Sequence, residues 1–151
     1  MYCVHWVMLR GSSIMCVTLS RKIVSTRLFR ISFRREHGHL RASVSGYGGG
    51  LATTVAYWSA IGEEVAAMRP LSLLVVDQME GGAIPPGQLP QFIDAMGGRG
   101  FEGLRVAFVE SHFEQLAQAE AAEILACEKG FNVRVFSNEM DAAVWLRYGE
   151  G

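Results

Sequence analysis

Residues 71–77 read LSLLVVD, an apolar run that ends on an acid. Hydrophobicity that is continuous over strand length, not alternating, is what a strand needs when both of its faces are covered, as in parallel sheets under helices. The preceding segment supplies such a helix. Leu51, Val55, Trp58, Ile61, Val65 and Met68 recur at spacings of four and three, one helical face that packs on a sheet and stops before Pro70.

The alternation continues downstream. QLPQFIDAMGG (88–98) reads as a short helix closed by glycines, and LRVAFVE (104–110) as another buried strand. In SHFE (111–114), Ser111 and Glu114 match a capping box for a helix with Phe113, Leu116, Ala117, Ala121, Ile124 and Leu125 inward. FNVRVF (131–136) is the last strand, and Ser137 is the expected N-cap of a helix carrying Met140, Val144, Trp145 and Leu146. Upstream, RLFRISFRREHGHLRASVSG (27–46) gives two short apolar runs around Gly38, a β-hairpin. The order is ββαβαβαβα, an α/β domain with a mostly parallel sheet, an N-terminal hairpin and packed helices. Residues 1–26 lack clean periodicity and read as a poorly ordered N-terminal extension to a domain at 27–149.

At 151 residues and 50% hydrophobic, the chain supports one domain with a full core. Its net charge of −1 is uneven: eight of its fourteen Lys and Arg lie in the first 41 residues beside a single acid, Glu36, and the remainder is acidic. An acidic body is a poor match for a phosphate backbone, so no nucleic-acid partner is expected. Three cysteines, Cys3, Cys16 and Cys127, form no CxxC pair and suit a reducing, cytoplasmic setting. Cys127, beside Ile124 and Leu125, is expected to be an inert, largely buried thiol. No apolar run reaches the length of an integral membrane segment.

Together, RISFRREHGHLRASVSG, LSLLVVD, LRVAFVE and above all GFNVRVFSNEMDAAVWL (130–146) resemble the SpoIIAA-like branch of small STAS-related bacterial proteins, over about residues 27–148. The resemblance implies a STAS-like fold; a non-enzymatic binding or regulatory role is expected because no complete catalytic set and no phosphate cradle of the form G-x-x-x-x-G-K-[ST] is found. Relatives that act as anti-sigma-factor antagonists switch partners by phosphorylating a serine after the equivalent strand. Here that loop, Asp77 to Gly82, has no Ser or Thr, so the switch is not implied. Likeness of the branch to lipid-binding domains suggests an apolar pocket, which is analogy at the level of fold.

The residues that could build such a site are Asp77, Met79, Glu80, Phe92, Met96, Ser111 and His112, because the exits of two parallel strands come to one edge of the sheet. Tyr57 and Trp58, being consecutive on a helix, point about 100° apart, so one of them should line an edge or an interface. Met side chains and aromatics beside a Gly/Pro-rich loop at 77–88 suit an apolar or amphipathic small molecule or a protein partner, and acids at the rim favour neutral or cationic ligands. A homodimer is compatible with this reading.

The competing class is a small hydrolase or transferase using Asp77, Ser111 and His112. No catalytic residue is assigned, since Ser111 and His112 are sequence neighbours and a G-x-S-x-G elbow is absent. No cofactor is expected either. GYGGGLATT (46–54) places Gly48 and Gly50 as a dinucleotide motif would, but Thr53 stands where the third glycine belongs. No metal site is expected, because Glu36, His37 and His39 fall short of a ligand set.

Overall fold

The computed structural model describes residues 5–8 and 14–17 as backbone and residues 21–149 in full. Among the described residues eight strands form one sheet in chain order: β1 (His5–Met8), β2 (Ile14–Val17), β3 (Arg21–Ser25), β4 (Phe29–Glu36), β5 (His39–Tyr47), β6 (Ser72–Glu80), β7 (Arg105–Glu110) and β8 (Asn132–Phe136). The first five form an antiparallel meander, and β5 to β8 run parallel. A sharp turn of His37 and Gly38, both at positive φ, joins β4 to β5, as a two-residue hairpin that follows the strand twist requires.

Helices α1 (Leu51–Met68), α2 (Leu89–Met96) and α3 (Phe113–Glu128) connect the parallel strands, and α4 (Glu139–Tyr148) follows β8. With sequential strand order, crossovers of one hand put α1 to α3 on one face of the sheet. There Ile31, Phe33, Leu40, Val44, Ile61, Leu73 and Val75 form a fully buried centre. The other face of β6 and β7 packs Val76, Ala107 and Val109 against Ala142 and Trp145 of α4. No helix among the described residues is long and apolar enough to cross a membrane.

Several local expectations are corrected. The boundary at residue 27 falls inside the antiparallel ladder: β3 pairs with β4, Val24 is buried, and Lys22 Nζ lies 2.6 Å from the buried Glu64 carboxylate of α1. Alternation in β3 is masked in the sequence because its core-facing lysine meets a buried acid. Side-chain order before residue 21 lies outside the described residues. The ranges 1–4, 9–13 and 18–20 do too.

Ser111 does not cap α3. His112 is the N-cap residue and makes no side-chain cap bond, while Glu110 accepts from the His112 amide at 2.9 Å. At α4 the cap is Asn138, whose Oδ1 accepts from the Asp141 amide, one residue after the expected Ser137.

The face of α3 is also rotated from the expected one. Phe113 and Ile124 are 88% and 60% exposed, and α3 turns Gln115, Gln118, Ala119, Ala122, Glu123 and Ala126 inward. Cys127 is exposed, with Sγ 3.5 Å from the Val133 carbonyl of β8. On α4, Met140 and Val144 are exposed and Ala142 and Trp145 carry the contact.

Candidate functional site

Between α1, α2, α3 and the exit ends of β6 to β8 lies a cavity of about 160 Å³. Its existence follows from the composition of α3. Where a core helix would insert Leu or Phe, α3 presents Ala119, Ala122 and Ala126, which leave the space above β7 and β8 unfilled.

The opposite wall is aromatic. Trp58 sits 5.6 Å from Phe101, 5.9 Å from Phe108 and 6.2 Å from Phe92 between ring centroids, and Tyr57 meets Phe29 edge-on at 6.1 Å. Tyr57 is buried against the sheet, while the half-buried Trp58 turns toward α2 and lines the cavity, so the two do not share one direction. A helix sandwiched between a sheet and a neighbouring helix has two inward directions, not one.

Glycines close one end. A Cβ on Gly49 would come within 1.7 Å of the Gly82 carbonyl oxygen, and the Gly48 amide donates to the Glu80 carbonyl at 2.8 Å. The loop before α1 and the loop after β6 therefore meet backbone to backbone, which leaves no room for a side chain at Gly49. The buried Ile84 pins the Gly/Pro-rich loop onto the same cavity.

Two acids are set into this apolar wall. Strand β6 runs on to Glu80, so Asp77 lies inside the strand and not at its exit as expected, and it is the register partner of Glu110 on β7. The two carboxyls, 7% and 5% exposed, both line the cavity. Asp77 Oδ2 accepts from the Tyr57 hydroxyl at 3.1 Å and Oδ1 from the Met79 amide at 2.7 Å.

Burial raises the Asp77 pKa from 3.8 to about 6, with the Glu110 charge pushing the same way, while the Met79 amide, the Tyr57 hydroxyl and His112 hold it down. Tyr57 is raised well above its ordinary value, first by burial and then by the Asp77 charge. Glu110 Oε1 takes both the His112 amide and, at 3.2 Å, His112 Nδ1. On the far side Glu123 Oε2 accepts from the Val135 amide at 2.5 Å, which occupies an outward N–H of the edge strand β8, and Gln118 Nε2 is buried with no partner among the described residues.

Of the residues expected to form a site, Asp77, Met79, Phe92 and Met96 come together around the cavity. Glu80 and Ser111 are exposed, and His112 backs onto Glu110 outside the lining. Among the described residues no group of three or more His, Cys, Asp or Glu side chains could hold a metal. Glu110, Gln118 and Glu123 were missed. A signal for Glu110 was present, since LSLLVVD and LRVAFVE, laid side by side as parallel strands, pair their terminal acids.

No protein-family model and no curated protein matches this sequence. Among solved structures, the chain is similar to an uncharacterised protein of the DUF3478 family from Shewanella loihica PV-4, described as having a SpoIIAA-like fold. The TM-score is 0.50 at 14% identity, covering 81% of this chain and 96% of that one. The fold is SpoIIAA-like. This SpoIIAA-like chain carries its cavity where the helices cross the exit ends of its parallel strands, the region where open α/β sheets commonly hold ligands.

Proposed function

We propose that the chain is a non-enzymatic binding module that encloses a small, largely apolar molecule between α1, α2, α3 and the sheet. The observation that carries this reading is the cavity itself, with aromatic walls, an alanine-rich α3 and polar groups at only a few points. Apolar cavities of roughly 150 Å³ hold a molecule the size of benzene, so the part of the ligand held inside is about one ring in size.

The alternative, a hydrolase or transferase on Asp77, Ser111 and His112, has less support. Among the described residues no hydrogen bond joins Ser111 to His112, and the imidazole Nδ1 faces Glu110.

The test is titration of the purified protein with toluene and benzyl alcohol, followed by the NMR signals of the Met79 and Met96 methyl groups. Saturable shifts confined to the cavity wall are expected. Shifts that grow linearly with probe, or that also appear on residues remote from the cavity, would remove the reading.

A further inference from the structure

The cavity has an unbalanced charge. Asp77 and Glu110 are buried side by side in its wall, Glu123 stands across from them on α3, and among the described residues none of the lining ones is Lys, Arg or His. The hydrogen-bond donors to Asp77 are a phenol and an amide, both neutral. His112 serves Glu110 from outside the lining. The charge of Glu123 is engaged by the Val135 amide. Buried carboxylates are ordinarily matched by a cation, because desolvating an unpaired one costs several kcal/mol.

Resting on the cavity reading above, we infer that the ligand is a small organic cation, a protonated amine of about one ring's size with an oxygen acceptor at its far end. The ammonium meets Asp77 and Glu110 while the aromatic wall, Trp58 and Phe108 among it, offers ring faces to a cation. The acceptor answers Gln118 Nε2, a buried donor on the α3 side of the same cavity that has no partner among the described residues. A hard metal ion does not suit these surroundings, since it needs six or more oxygen ligands and the wall is mainly apolar.

The partial titration of Asp77 adds a pH signature. Its carboxyl ionises at about 6, so amine affinity rises as the pH is raised through that value. The groups facing it are Tyr57 from α1, Glu110 from β7 and His112 beyond β7, with Glu123 across on α3. If the ionised form binds, affinity falls about tenfold between pH 7.5 and pH 5.

The experiment compares benzylamine, benzyl alcohol and benzoate, near-isosteres of different charge, by calorimetry on the full chain at pH 7.5. Benzylamine should bind at least tenfold tighter than benzyl alcohol, with benzoate weakest, and Asp77→Asn with Glu110→Gln should bring amine and alcohol within twofold of each other. Should those substitutions prevent folding, the ligand series on the unaltered protein decides alone. Alcohol or benzoate binding as tightly as the amine would overturn the cation inference and leave the cavity reading intact. Absence of binding by all three would overturn both.

Discussion

Tyr57 donates its phenolic hydrogen to Asp77 Oδ2 across 3.1 Å, tying the middle of α1 to strand β6 at the wall of the cavity. The bond stabilises the charged carboxylate, so its loss has a defined consequence. Tyr57→Phe should raise the Asp77 pKa above 6 and cost about 1–3 kcal/mol, with the larger cost at high pH where the carboxylate is charged. Carboxyl carbon NMR of Asp77 against pH, with denaturant melts at pH 5 and 8, measures both.

The Asp77 shift also predicts a stability profile. The folded-state pKa lies above the unfolded value, so between about pH 4 and 6 the native chain holds the extra proton. The contribution of Asp77 to stability therefore falls as pH rises through that window, by about 3 kcal/mol for a shift of about two units. Asp77→Asn should remove this slope and make the protein more stable at pH 8. A mutant less stable at pH 8 with the slope unchanged would show that burial of the charge is not what matters.

How much of this was legible can be judged from particular residues. Continuous apolar runs such as LSLLVV and helical spacing from Leu51 to Met68 reported real burial, so the parallel half of the sheet and α1 were readable. The hairpin was readable from its turn at Gly38. What failed depended on tertiary partners. Lys22 in β3 looks solvated until Glu64 comes to meet it, and α3 looks amphipathic about Phe113 and Ile124, although its alanines and glutamines face the cavity. Glu110 closes β7 as its sequence suggests, but its place beside Asp77 in the cavity wall depends on the pairing of β6 with β7.

Lys22 supplies a second prediction about the fold. Glu64 is buried between Lys22 at 2.6 Å and Arg35 at 3.5 Å, so Lys22→Met should cost about 1–3 kcal/mol and lower the thermal midpoint by several degrees. A chain beginning at Thr26 should lose more, because Val24 and the β3 pairing go as well. Calorimetric melting of both variants is the check. A midpoint unchanged in the shortened chain would show that β3 adds nothing to the domain.

Gly49 tests the closure of the cavity. An added Cβ would overlap the Gly82 carbonyl, and backbone cannot give way as a flexible side chain can. Gly49→Ala should therefore separate the two loops, destabilise the protein by about 1–3 kcal/mol and speed ligand exchange. Gly87→Ala, where a Cβ meets nothing within 4 Å, is the control and should change neither. Melting curves and NMR exchange rates with benzyl alcohol distinguish the two.

The most direct measurement is a crystal structure of the protein soaked with benzyl alcohol. The account predicts ring-shaped density enclosed by Trp58, Phe92 and Phe108, with its hydroxyl directed toward Asp77 or Gln118 and the surrounding backbone unmoved. A cavity that stays filled with ordered water at saturating probe, or that has collapsed by inward movement of Trp58 and Ile84, would contradict it.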